Sequence, residues 1–506
     1  MFKKVIAVAV LLFASVTPVH AEDLSYLGRV ISWEDTAPFH DYPVAYSFSG
    51  GSGNPCDGGW SATCDPSVGN VQVVNFLPVC DSADGSDKRL DCVESVYADV
   101  NGVKVKGERV VSPVGVWNAY AFTAKPEFGI AKSSPILIYK FPGLSHDKGD
   151  NFMVDPFSTK SVNKGVVGET QYTFLIAPAF QTSSQDLCGF IDASAGYCWK
   201  SGSFLSDTGF TLNLKLATPP VGWFTSRITT PDVQINPASD GRTQVTFSGN
   251  SQAIPSISRY YHYTIQSEQD EWNQVAKTLP GLIWDKLTAD GKRYSISIPF
   301  SSDAISEFQD IVSKVPSFNN ADALKNIWRI ESKSFGTAPS TPCLKSGFTG
   351  IVSSNALTYE NAIPTWDAAN SALVYRIASP HTALGKEFTG KYDLLISEQV
   401  GKCLWHVQNL APSAEISVTS ADGQIKVFTA GSSISGGFYK FTATGFTFST
   451  NKISVKLVSK AASAPVGKPI AATKSSAAKT IICLKGKIQK NVTAAKPQCP
   501  TGYKKK

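Results

Sequence analysis

Leu212-Asn213-Leu214-Lys215-Leu216 is the stretch that decides the fold class. Leucine alternates with a polar residue at each step. That is the two-residue period of a strand with one face on a core and the other toward water. Ile453-Ser454-Val455-Lys456-Leu457 repeats the pattern far along the chain. Between such runs sit the dipeptides Asn101-Gly102, Asp240-Gly241, Asp290-Gly291 and Asp422-Gly423. They supply the positive φ angles that tight hairpins need. Thr243 to Phe247, Tyr294 to Ile298, Glu415 to Thr419 and Gln424 to Phe428 read as the strands beside them. With 39 Gly, 29 Pro, 11% aromatic and only 17% charged residues, the composition suits a turn-rich β protein. The expected fold is therefore mainly β: several antiparallel β-sandwich-like, immunoglobulin-like domains with one α+β segment.

That segment lies where the period lengthens, from about Gln266 to Glu331. Glu268-Gln269-Asp270-Glu271-Trp272 leads into Val275-Ala276, a first helix. Ser302-Asp303 caps a second, with Ile305, Phe308 and Val312 on one stripe. Asn320 is read as the cap of a third, carrying Leu324, Ile327 and Trp328. Boundaries follow: a β domain over 22–125, another over 126–250, the α+β segment over 251–342 and an immunoglobulin-like sandwich over 343–460. A linker rich in Ala, Ser, Lys and Pro covers 461–480, and a small Cys-bracketed module covers 481–506.

The first residues set the expected compartment. Lys3 and Lys4 precede an apolar run from Val5 to Val16, and Val19-His20-Ala21 offers small residues at a cleavage site. This is the pattern of a signal peptide over 1–21, with an apolar run too short to span a bilayer. Ten cysteines follow it: Cys56, Cys64, Cys80, Cys92, Cys188, Cys198, Cys343, Cys403, Cys483 and Cys499. An even count in an exported chain argues for disulfides, and nearest-neighbour pairing closes the shortest loops. The spacings lack the paired C-x2-4-C units of a zinc site.

Charge is unevenly divided. The chain carries +6, yet residues 461–506 hold ten Lys and no Asp, Glu or Arg. With the two signal-peptide lysines also set aside, the body from 22 to 460 is −6. A basic end of this kind binds polyanions in a salt-dependent way. Outside a cell that means anionic envelope polymers or acidic polysaccharide. Nucleic acid is not expected, because interleaved aromatics are missing and the compartment is wrong. The same end carries recognisable words: Ile482-Cys483-Leu484-Lys485-Gly486-Lys487 and Pro497-Gln498-Cys499-Pro500-Thr501-Gly502-Tyr503. With Gly222-Trp223-Phe224-Thr225-Ser226-Arg227 and Tyr375-Arg376-Ile377-Ala378 upstream, the chain resembles an uncharacterised group of secreted actinobacterial proteins. Their short C-terminal module is likewise Cys-bracketed and Lys-rich. The resemblance implies export and a bacterial surface setting, and no activity.

Motifs for catalysis are sparse. Gly50-Gly51-Ser52-Gly53-Asn54 falls short of G-x-S-x-G, and no H-E-x-x-H, Walker loop or Rossmann fingerprint occurs. Glu34-Asp35 beside Trp33, near His40 and Asp41, is the one carboxylate pair resembling a sugar-cleaving cleft. Asp81, Asp84 and Asp87 in the Cys80–Cys92 loop are the candidate calcium ligands. Trp60 and Trp199, each beside a cysteine couple, are the candidate faces for a sugar ring. The function expected is a secreted or surface-associated, non-enzymatic binding protein with a cationic tail. The alternatives are an exported hydrolase of polysaccharide or peptide, and a structural surface-layer protein.

Overall fold

The computed structural model describes residues 28–33, 44–49, 52–56, 60–61, 64–110, 121–134, 136–182, 190–192, 197–202, 207–262, 265–278, 294–297, 304–333, 341–344, 347–360, 363–406, 412–419, 425–448, 451–459, 479–485, 488–494, 498–499 and 503–505. The chain divides into two compact units, Met1–Ser459 and Lys460–Lys506. The first is mainly β, with three α-helices among the described residues: α1 Gln266–Thr278, α2 Ala304–Lys314 and α3 Glu398–Trp405.

A long central sheet organises the body. Its strands lie in the order Val44–Ser49, Asn70–Phe76, Asn151–Asn163, Val166–Thr182, Ala323–Lys333 and Gly222–Ser226. Phe348–Ser354, Thr389–Ser397, Phe438–Thr447 and Ile425–Ser435 continue it. Neighbours are antiparallel except Gly222–Ser226 and Phe348–Ser354, which run parallel. A second sheet joins Val103–Lys106, Cys92–Val100, Gly209–Leu216, Thr243–His262 and Ile228–Pro237. A third joins Pro412–Thr419, Asn451–Ser459 and Ala372–Ala378, and is linked to the central sheet through Ile425–Ser435, which pairs with both.

Two cores fill the spaces between these layers. Leu212, Leu214, Val96 and Phe247 of the second sheet pack with Phe174, Phe224, Ile330 and Ile351 of the central one. Ile416, Ile453, Val455 and Tyr375 of the third sheet pack with Trp223, Val352, Leu394 and Ile396. Adjacent residues of the central sheet thus serve opposite cores. Phe348–Ser354 is accordingly buried along its whole length, as a strand covered on both faces must be. Gly350 is small for the same reason: a Cβ there would sit 2.1 Å from the Leu395 carbonyl oxygen and 2.7 Å from the Trp223 ring. Helix α2 adds Ile305, Phe308 and Ile311 to the core shared with the third sheet.

The alternating runs quoted above lie in strands, and Asn101-Gly102 turns the hairpin between Cys92–Val100 and Val103–Lys106 with φ of 52° and 80°. Two expectations are corrected. The third helix is a strand, Ala323–Lys333, because its backbone pairs with Thr173–Ile176 on one side and Trp223–Ser226 on the other. The divisions at 125, 250 and 342 are crossed by strand pairing. Asn70–Phe76 pairs with Asn151–Asn163, Cys92–Val100 with Gly209–Leu216, and Gly222–Ser226 with Phe348–Ser354. Shared sheets make these segments parts of one body. Disulfides join Cys56 to Cys64, Cys80 to Cys92 and Cys343 to Cys403, and Cys499 is also bridged. Cys188 lies outside the described residues.

Candidate functional site

The residues singled out from the sequence are mostly engaged in structure. Trp60 is half-buried: its Nε1 donates to Thr123 O at 2.9 Å, and its ring lies 5.3 Å from Phe122. Trp199 is 3% exposed and packs into the core beneath the central sheet. Trp199 presents no open ring face, which corrects its reading as a sugar platform, whereas Trp60 is held on one side by Phe122 and stays half-exposed. The driving force for burying a large aromatic surface outweighed display.

Of the three candidate calcium ligands, Asp87 is engaged elsewhere. In the Cys80–Cys92 loop, Asp87 accepts from Arg89 Nη2 at 2.6 Å and from the Arg89 backbone N–H at 2.9 Å. These bonds hold its carboxyl down to about 2. Arg242 Nη1 donates to Gly85 O at 2.9 Å and Leu90 O at 3.1 Å. The Asp87 carboxylate and two loop carbonyls are thus already taken by guanidinium groups. Asp81 is exposed, and among the described residues no cluster of three or more His, Cys, Asp or Glu suits a metal. His146 is likewise structural: its Nε2 lies 2.8 Å from Asn151 O, and its ring stands edge-on to Phe152. Glu34, Asp35, His40 and Asp41 lie outside the described residues.

The polar constellation the body does assemble was not singled out from sequence. It is a chamber at the end of the central sheet, where five polar residues are nine-tenths or more buried: Asn75, Asp91, Ser158, Lys160 and Tyr172. Register puts Asn75, Ser158 and Tyr172 in one cross-strand row, with Val73 and Lys160 in another. Asp91 enters from the residue before Cys92–Val100, in the facing sheet. Lys160 Nζ donates to Asp91 Oδ2 at 2.8 Å, Tyr172 OH donates to the same oxygen at 3.1 Å, and Ala217 N–H donates to Oδ1 at 2.8 Å. Burial, then the Asp91 charge, pushes the Tyr172 phenol well above its usual value, so it stays a donor.

A strap over 121–134 covers this chamber. Phe122 and Ser133 close it by mutual hydrogen bonds, as do Lys125 and Ile130. Gly129 ends its 3-10 turn at φ 68°, and a Cβ there would lie 3.1 Å from Lys160 Nζ. Glycine therefore serves both the left-handed backbone and the lysine's seat. Asn75 Nδ2 donates to Ala131 O at 2.8 Å, while Asn75 Oδ1 is buried with no hydrogen-bond partner. Asn75, Asp91, Ser158 and Lys160 line the small cavity left between them. The signal in the sequence was Lys160 itself. It holds the same register parity as Val154 and Val162, positions that face inward.

A second polar feature is a cap. Arg227, 1% exposed, donates from Nη1 to Ser354 O and Ala356 O, both at 2.6 Å, and lies over the Tyr359 ring at 4.3 Å. It satisfies carbonyls where Phe348–Ser354 ends, inside a core that water does not reach. Nearby, Glu331 bridges Arg329 at 2.5 Å and Lys333 at 3.0 Å along one strand face.

The second unit forms its own three-stranded antiparallel sheet. Lys479–Lys485 pairs with Ile488–Ala494 on one side and Lys504–Lys505 on the other. Lys490 and Lys505 both stand opposite Cys483, and Lys504 and Lys505 are exposed. No family model matches the chain, and neither does any curated protein.

Proposed function

We propose that this is an exported, surface-associated binding protein, in which residues 1–21 direct secretion and the cationic end holds anionic envelope polymers. One observation carries the reading: the ten lysines of 461–506 belong to a unit separate from the acidic body, with a three-stranded sheet of its own. A sheet fixes cations in rows, so polymer phosphates or carboxylates meet several at once. The attraction is screened within about 10 Å at ordinary ionic strength. A polyanion therefore releases the protein as salt rises. The body serves as the part displayed.

The test compares the full chain with a chain ending at Ser459 for retention on polyphosphate and on envelope fractions. Retention of the full chain at low salt, its release at high salt, and its loss on truncation are expected. Equal retention of the two forms overturns the reading.

A further inference from the structure

We propose that Lys160 and Asn75 become joined by an amide bond inside the folded body, with Asp91 as the proton carrier. The two side chains belong to neighbouring antiparallel strands. Asn75 stands opposite Ser158, so Lys160 is its diagonal neighbour, about 7–8 Å away between backbones and within the reach of a lysine stem. Both line one cavity.

Three features suit the reaction. The ammonium of Lys160 is hydrogen-bonded to the Asp91 carboxylate, which can accept a proton and leave a neutral amine, the nucleophilic form. The carboxamide of Asn75 is held in place through Nδ2 on Ala131 O, and its buried Oδ1, which has no other partner, is open to accept from the carboxylic acid that Asp91 becomes, so that charge developing on it is stabilised. Asn75, Asp91 and Lys160 are each more than nine-tenths buried, with Gly129, Ile130 and Ala131 of the strap lining the same cavity, so the reacting groups are largely shielded from bulk water, the competing nucleophile.

The step balances without any oxidant. Nζ attacks Cγ of Asn75; the Nζ–Cγ bond forms and the Cγ–Nδ2 bond breaks. Of the three protons on Nζ, one stays on the new amide, one leaves with Nδ2 as ammonia, and one remains on Asp91. The chamber begins as a neutral ion pair and ends as a neutral amide beside a carboxylic acid. A buried charge pair, costly to hold in a dry site, is thereby removed. The bond ties Asn70–Phe76 to Asn151–Asn163 covalently.

Mass spectrometry of the reduced, exported full chain, with its N-terminus read, tests this. The expected mass is about 17 Da below that of the sequence, with a proteolytic fragment linking the peptides of Asn75 and Lys160. In Asp91→Asn the full mass returns. An unchanged mass in the wild type overturns the proposal. So does a loss that maps to Asn101-Gly102, where a cyclic imide also expels ammonia. A loss of about 18 Da linking Lys160 to Asp91 overturns the choice of Asn75.

Discussion

Arg242 holds the Cys80–Cys92 loop to the hairpin at Asp240-Gly241. Its Nη1 serves Gly85 O and Leu90 O, while Nε and Nη2 hold Asp240 at 3.1 and 2.8 Å. With Arg242→Met, two carbonyls inside the loop lose their donor. A loss of about 2–4 kcal/mol is expected in urea unfolding, with Arg242→Lys recovering only part because one ammonium cannot fork. Unchanged stability in the methionine variant would show the loop held by its disulfide alone. Asp87 and Asp240 are both held down to about 2, in each case first by the neighbouring arginine's side-chain hydrogen bonds. In the unfolded chain both return toward 3.8. The unfolded state then binds more protons, so their stabilising effect is complete above that value and fades as pH falls toward about 2. Both carboxylates are partly exposed, so the effect is modest and salt-sensitive. Urea midpoints along that acid limb should fall less steeply in Asp240→Asn than in the wild type; parallel curves would refute the assignment.

Ala323–Lys333 shows why element type was harder to read than fold class. Its apolar residues Leu324, Ile327 and Trp328 have helical spacing, and an asparagine stands where a cap would. As a strand it leaves Leu324 40% exposed and buries Trp328 completely, with Nε1 donating to Gly249 O at 2.9 Å. Tertiary pairing overrode local preference. Leu324→Glu should therefore cost under about 0.5 kcal/mol, and Trp328→Ala about 3–5 kcal/mol. A helix with the three residues on one stripe would make both severe, so comparable losses would count against the strand. The helices α1 and α2 were legible because each contains a full amphipathic turn pattern between stronger turn signals. The chamber was less legible. Asn75, Asp91 and Lys160 come from three strand regions, and no local period announces that they meet.

At the scale of the molecule, the shared central sheet makes the body one folding unit. Cutting after Pro342 removes Phe348–Ser354, the partner of Gly222–Ser226, and uncovers the core around Trp223. A fragment of residues 22–342 should show no cooperative melting and should bind hydrophobic dyes. Residues 22–459 should melt in one transition, and calorimetry resolving separate transitions would restore independent domains. Alternation, turn dipeptides and cysteine spacing by themselves determined the β class, the strands quoted from them and the Cys56–Cys64 and Cys80–Cys92 loops, because each depends on residues close in the chain. Tertiary structure alone decided that the body is continuous, that Trp199 is core, that guanidinium groups occupy the acidic loop, and that Lys160 meets Asp91. Those outcomes depend on register between strands far apart in the chain, 160 residues in the case of the Tyr172 N–H to Ser332 Oγ bond, and a local period carries no record of register.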